Sequence, residues 1–335
     1  MVKQCSVTYE EIVSWENLCE AWWEFVRGKR GNYDVQCFML GLSDELVALH
    51  DDLVAMRYVH GRYEHFRIND PKPRDIHKAA VRDRLVHHAI HRKVYSFFAQ
   101  QFIADSFSCR ECKGLHAALS RFTRFANRVS ENGATTCWVL KCDIRKFFAS
   151  IDHGILMSML QEYFIDNRVT NLLEGIVTSF STNSGKGNPL GNLTSQLFAN
   201  IYLHPFDHFV KHQMKMKYYV RYADDFVFLS HERHELESAL SDIERFLRDR
   251  LKLALHPKKI VLQTLVSGVD FLGWIHFGSH RIPRTKTKQR MLKRNRNDNS
   301  YAVFQSHLGL LGHGNTFNLA SRLEGDHWFW HGYGI

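Results

Sequence analysis

Apolar residues recur every three to four positions over residues 8–60, with Trp15, Leu18, Cys19, Trp22 and Trp23 on one stripe and Leu46, Leu49, Leu53 and Met56 on a second. That period predicts a helical N-terminal segment capping the main body. The chain then reads as extended over 63–74, where Phe66 and Ile68 alternate before Asp70-Pro71-Lys72-Pro73-Arg74. A helix is expected around 80–99 through Val81, Leu85, Ala89, Ile90, Val94 and Phe97, with His87, His88 and His91 as its polar face. Near 137–144 the period falls to two, placing Trp138, Leu140, Cys142 and Ile144 on one side of a half-buried strand and Val139, Lys141 and Asp143 on the other. Asp152 caps a helix to about 165, and the turn-rich stretch 181–192 precedes a helix from Leu193 that is expected to stop near Pro205. An aromatic hairpin follows, Tyr218–Tyr222 and Asp225–Leu229 about the turn Ala223-Asp224. Beyond it come an amphipathic helix at 233–252, a strand pair near 260–276 and a basic, helical last sixty residues.

Composition narrows the class. In 335 residues, 44% hydrophobic and 24% charged, there is material for a large core or for two or three cooperating subdomains. No apolar run nears the roughly 18–20 residues that cross a bilayer. The first residues lack the apolar segment of a secretory signal, so residence in the cytoplasm is expected. Seven cysteines, an odd number, are read as free thiols. Cys109 and Cys112 have a zinc-like spacing with His116 nearby, but no second pair completes a site. The net charge of +9 favours a polyanionic partner, most simply nucleic acid.

Charge alone names no chemistry; the acidic residues do. Two short strands each deliver carboxylates, Asp143 at the end of one and Asp224-Asp225 at the turn of the other. Packing like charges at strand ends costs stability, which a bound cation offsets. Phosphodiester synthesis uses two divalent ions about 4 Å apart, one on the attacking hydroxyl and one on the triphosphate. Mg²⁺ prefers oxygen and retains waters, so two or three carboxylates suffice.

These residues resemble a known family. Tyr222-Ala223-Asp224-Asp225 resembles the YxDD box of reverse transcriptases, and Lys141-Cys142-Asp143-Ile144-Arg145-Lys146-Phe147-Phe148 resembles their first carboxylate motif. Gly191-Asn192-Leu193-Thr194-Ser195-Gln196 resembles the GxxxSQ element of the reverse transcriptases of diversity-generating retroelements; other bacterial relatives commonly carry SP at Ser195-Gln196. The resemblance runs from about Tyr63 to the end. It takes in Asp105–Arg110, Lys113–His116, Phe271-Leu272-Gly273-Trp274 and His313-Gly314-Asn315-Thr316.

The resemblance implies an α+β right-hand polymerase. Residues 1–62 would be an N-terminal helical extension, 63–135 fingers, 136–275 a palm with an antiparallel sheet (and a fingers segment near 165–190), and 276–335 a short helical thumb. It implies that Asp143, Asp224 and Asp225, with the Ile144 carbonyl, hold two Mg²⁺ ions, replaceable by Mn²⁺. Lys259, or its neighbour Lys258, would protonate departing pyrophosphate. Lys72 and Arg74 would grip the dNTP triphosphate, and Phe148 would exclude a 2′-hydroxyl. Leu190, Gly191 and Gln196 would contact the templating base pair, and Phe271–Trp274 would form the primer grip. Arg110 is read as supporting the fingers, and the basic run Arg281–Arg296 as tracking duplex. The partners implied are template RNA, cDNA, dNTP and a small basic accessory variability protein, with no membrane. The setting implied is mutagenic retrohoming, in which adenines of a template-repeat RNA are miscopied into cDNA. No RNase H domain is seen after the thumb, so no template degradation is expected. Two alternatives stay open: a group II intron, retron or phage-defence reverse transcriptase, and a non-catalytic RNA-binding protein with the same fold.

Overall fold

A computed structural model describes residues 3–69, 73–298 and 300–331. The chain divides into two compact units. The first comprises Met1–Ala104, Ile144–Lys215 and Ile243–Leu255; the second comprises Asp105–Asp143, Met216–Asp242 and His256–Ile335.

The first unit is mostly helical. Thr8 opens the helix Tyr9–Val13 with a capping box closed by Glu11, and Ser14 caps the helix Trp15–Val26. Helices Tyr33–Leu40 and Leu42–Val54 follow. Strands β1 (Glu64–Ile68) and β2 (Arg74–Lys78) form an antiparallel pair in which Phe66 faces Ile76. The long helix Val81–Gln101 packs on Trp15–Val26 and on Leu193–His208. Between the first two of these, buried Asn17 donates its Nδ2 to the carbonyls of Ile12 (2.7 Å) and Ala89 (3.0 Å). Asp152 caps the helix His153–Tyr163 as its sequence predicts, accepting from the Ile155 amide at 3.1 Å.

Two expectations fail in this unit. The helix from Leu193 does not stop at Pro205 but continues to His208 and then into a π-helical turn, Phe209–Gln213. Proline inside a helix costs about 3 kcal/mol. Here Ile201, Tyr202, Leu203 and Phe206 are all at most 1% exposed, and burying each such side chain returns about 1.5–3 kcal/mol. Packing wins. The histidines of Val81–Gln101 are not a polar face either: His87 is buried, stacked on His60 at 5.2 Å, and His88 and His91 are half-buried. Burial pushes the pKa of His87 down to about 3, and those of His88 and His91 to about 4, so all three pack as neutral rings.

In the second unit, β3 (Trp138–Asp143), β4 (Tyr219–Tyr222), β5 (Asp225–Ser230) and β6 (Val261–Thr264) form one antiparallel sheet in the order β4-β5-β3-β6. The helix Leu115–Val129 lies on it, and Phe122, Val139, Val220, Val227 and Leu229 meet in the core beneath. The period-two reading of β3 therefore holds only in part. As a central strand covered on both faces, it buries Val139 together with Leu140 and Cys142, and keeps Lys141 and Asp143 partly open. The stretch 260–276 holds three strands rather than two, and the last two of them form the expected pair. β6 joins β3, while β7 (Val269–Phe271) and β8 (Trp274–His276) form a separate antiparallel sheet with β9 (Arg281–Pro283). The cause is a 3-10 turn at Leu265–Ser267 followed by Gly268 in the left-handed region (φ 88°), which redirects the chain. Helices Thr285–Asn297, Tyr301–Leu311 and Phe317–His331 complete the unit. Among the described residues, no helix is long and apolar enough to cross a membrane.

Candidate active site

The acidic residues are positioned by strand register. β3 ends on Asp143 and β5 begins on Asp225, and antiparallel pairing sets them opposite each other. The β4–β5 turn has two residues, Ala223 and Asp224, so Asp224 is held next to that pair. Ala223 adopts φ 54°, a conformation that costs a non-glycine residue roughly 1 kcal/mol. Buried Arg221 holds the turn: its Nη1 donates to the Ala223 carbonyl at 3.1 Å. Its backbone is tied in turn to the Asp105 carbonyl (2.9 Å) and the Phe107 amide (3.0 Å).

Electrostatics around Asp225 are unfavourable for an anion. Burial pushes its pKa up to about 6; Lys141 opposes the shift, and the Asp143 and Asp224 carboxylates reinforce it. Lys141 Nζ lies 3.6 Å from Asp225 Oδ2, whereas Oδ1 is buried without a hydrogen-bond partner. Asp143 receives the Lys259 ammonium on both oxygens, at 2.6 and 2.7 Å. The Pro257–Lys259 turn delivers that lysine after the His256 amide bonds the Asp143 carbonyl at 2.8 Å. Lys259, rather than Lys258, is thus the lysine on the carboxylate.

The residues present fit a divalent cation. Among the described residues, no group of three or more His, Cys, Asp or Glu side chains is arranged to hold a metal ion by itself. Mg²⁺ needs none, since it is commonly held by one or two carboxylates, waters and substrate phosphates. The orphaned Asp225 Oδ1 is an acceptor that lacks a positive partner. Next to Asp143, buried Ile144 pairs with Leu255 through the bonds Arg145 N–H to Ala254 O and His256 N–H to Asp143 O, which bypass Ile144's own carbonyl.

The primer-grip candidates form the β7–β8 hairpin. Phe271 and Trp274 are buried, and Leu272 and Gly273 make the turn with φ 50° and 88°. Two sequence motifs meet beside it. His116 stacks on His313 at 3.7 Å, and Gly314 sits where a Cβ would lie 2.2 Å from Trp274 Cζ3. Arg281 bonds the His313 carbonyl and covers the Trp274 ring at 5.5 Å.

Nucleotide-site candidates lie in the first unit. Arg74 is exposed at the start of β2, and Lys72 lies outside the described residues. Leu190 and Gly191 are stitched to β2. The Leu190 carbonyl accepts from His77 N–H at 3.1 Å, and Asn192 Nδ2 donates to the His77 carbonyl at 3.1 Å. Gly191 has φ 114°, and a Cβ there would meet Ile76 Cγ2 at 3.2 Å, so both conformation and space call for glycine. Phe148 is half-buried in the short helix Phe147–Ser150, which Lys146 opens at φ 47°. Gln196 is exposed on the first turn of its helix and caps nothing. Arg110 donates to the Ser106 carbonyl and hydroxyl at 3.0 and 2.9 Å, which holds its own loop.

Sequence reasoning missed two residues here. Lys141 joins the acidic site to the hairpin, donating to the Asp270 carbonyl at 2.7 Å as well as facing Asp225. Its signal was its place two residues before Asp143, on the same strand face. Arg221 was legible as the one charge in an otherwise apolar and aromatic strand.

Comparison with known proteins agrees with this geometry. Residues 69–276 match the family described as reverse transcriptase (RNA-dependent DNA polymerase). The chain is 24% identical over 287 residues to protein YkfC of Escherichia coli (strain K12), covering 74% of this chain and 73% of that protein. It is 29% identical over 156 residues to the group II intron-encoded protein LtrA of Lactococcus lactis subsp. cremoris, covering 45% of this chain but 25% of that protein. Telomerase from Candida albicans, solved with a fragment of telomeric RNA, is similar in fold with a TM-score of 0.54 at 10% identity, over 82% of this chain and 57% of that one. Apo telomerase from Candida tropicalis, truncated of its C-terminal domain, gives 0.52 at 12%, over 68% and 55%. The fold is thus the α+β, antiparallel-sheet fold of the right-hand polymerases.

Proposed function

Because this chain belongs to the reverse transcriptase family of RNA-dependent DNA polymerases, we propose that it copies a template-repeat RNA into adenine-mutagenised cDNA for a diversity-generating retroelement. The observation that carries the polymerase part is the register opposing Asp143 to Asp225, with Asp224 at the adjoining turn. Asp143, Asp224, Asp225 and the Ile144 carbonyl would hold two Mg²⁺ ions (or Mn²⁺), which when bound supply activation of the primer hydroxyl and charge neutralisation at the triphosphate. Lys259, which bonds Asp143, would donate a proton to departing pyrophosphate. Lys72 and Arg74 bind triphosphate, and Phe148 sets its ring against a ribose 2′-hydroxyl. Leu190, Gly191 and Gln196 shape the templating pair, and Phe271–Trp274 seat the primer end. In this reading 1–62 is an N-terminal extension, 63–135 fingers, 136–275 palm and 276–335 thumb.

The retroelement part rests on Ser195-Gln196 and on the exposed position of Gln196 beside the Leu190-Gly191 loop. A small basic accessory protein is its expected partner. The test is to sequence cDNA made by the purified protein on a defined RNA and tabulate substitutions by template base. Excess errors at adenine, reduced in Gln196→Ala, support the reading. A uniform spectrum favours the alternative of a group II intron-type enzyme, which the match to the intron-encoded protein motivates, and leaves the polymerase assignment standing.

A further inference from the structure

Within the second unit a cavity of about 670 Å³ opens between the helix Leu115–Val129, the β8–β9 loop and the segment around Gly314. It shares no residue with the acidic site or with the Phe271–Trp274 grip. None of its lining residues is acidic, two are arginines (Arg124 and Arg281) and three are histidines (His276, His280 and His313). Such a wall selects for an anion. Arg281 is engaged with Trp274 and the His313 carbonyl, which leaves exposed Arg124 as the cation best placed to receive a phosphate.

Two further features ask for more than a phosphate. The Phe277 and His280 rings stack at 4.8 Å with an interplanar angle of 16°, presenting a flat aromatic pair at the cavity. Such faces stack nucleobases. His276, 2% exposed, forms part of the wall and has no hydrogen-bond partner for its Nε2. Its other ring nitrogen is engaged with the Phe271 backbone, and burial keeps the ring neutral with a pKa near 4. Nε2 is therefore an acceptor without a donor, the kind of group that a hydroxyl or amine of a ligand, or an ordered water, satisfies. The volume lies within the range of small-ligand sites.

We propose that this cavity binds one or two nucleotides of a single nucleic-acid strand, apart from the polymerase site, with Arg124 on a phosphate and the Phe277–His280 pair under a base. RNA and DNA share this chemistry, and the experiment separates them.

Labelled single-stranded RNA and DNA 6-mers are titrated into the full-length protein in EDTA, with unlabelled primer–template in excess to fill the polymerase site. Binding is read by anisotropy, and 5-iodouridine crosslinks in the 6-mers are mapped by peptide sequencing. Arg124→Glu and His280→Ala change exposed side chains, and thermal melting confirms that each variant is folded. The proposal expects crosslinks in 120–132 or 276–281, and a loss of affinity of about tenfold in each variant. It also expects a salt slope shallower by about one for Arg124→Glu. Binding of only one oligonucleotide type identifies the strand as RNA or DNA. If neither variant shifts the affinity of either 6-mer, or the crosslinks fall elsewhere, the cavity is a hydrated crease and the proposal is overturned. Because no catalysis is read, a failure here is distinct from a failure of the polymerase assignment.

Discussion

Replacing Lys141 by Met keeps the aliphatic stem and removes the ammonium that faces Asp225 Oδ2 at 3.6 Å and donates to the Asp270 carbonyl at 2.7 Å. A charged hydrogen bond to a carbonyl is worth about 1.5–3 kcal/mol. The ion pair has a gross attraction of about 4–5 kcal/mol at an effective dielectric constant near 20. Lys141 and Asp225 are 18% and 23% exposed, so screening and desolvation reduce that to about 1–2 kcal/mol net. The sum predicts a loss of about 2.5–5 kcal/mol, measured by urea unfolding of Lys141→Met. A cycle with Asp225→Asn isolates the pair and should give a coupling of about 1–2 kcal/mol. Primer extension should fall further than stability explains, because the same ammonium ties β3 to the strand that leads into the primer-grip turn. A variant within 0.5 kcal/mol of wild type, or strictly additive effects with Asp225→Asn, would refute the bridging role and return Lys141 to an ordinary strand residue.

Three other outcomes are expected. Gly314→Ala would set a Cβ 2.2 Å from Trp274 Cζ3 and 2.9 Å from the Arg281 carbonyl; overpacking of this kind costs about 1–3 kcal/mol. Melting should show that loss, and primer dissociation should speed up if Trp274 shifts. Phe148→Ala should lower dNTP-over-NTP discrimination by about tenfold or more, read from competitive single-nucleotide incorporation. Buried His87 has a folded pKa near 3, below its unfolded value near 6.5, so the stability it contributes is complete above pH 6.5 and is lost as pH falls towards 3. At pH 5 the loss is about 2 kcal/mol, and a His87→Gln variant should show a flatter pH dependence of its melting temperature.

What the sequence discloses follows from the range of the forces involved. A two-residue turn fixes the β4–β5 register locally, so Asp224-Asp225 could be placed at a hairpin turn before any coordinates, whereas the opposition of Asp143 to Asp225 is a long-range pairing that no local rule sets. Caps are equally local, and Asp152 and Ser14 act where their side-chain chemistry places them. Gly191 reads as a contact for the templating base pair, and its packing against Ile76 of β2 is not legible. The failures are tertiary. Pro205 fails to end its helix because buried Phe206 and Tyr202 outweigh one missing hydrogen bond. His87 reads as polar until His60, 27 residues earlier, is seen to stack on it. Lys141 and Asp270 are 129 residues apart, and His116 and His313 lie still further from each other in sequence. No spacing rule connects such pairs; the packing of β7 and of the segment after Leu311 does.

The most direct measurement is extension of a DNA primer by one nucleotide on an RNA template with Mg²⁺, using purified wild-type protein and the Asp143→Asn and Asp224→Asn variants. Each lost carboxylate removes several kcal/mol of stabilisation from the reacting centre, so the rate should drop at least about a hundredfold while the melting temperature changes little. Extension by either variant at the wild-type rate, or none by a folded wild-type protein, would contradict the account.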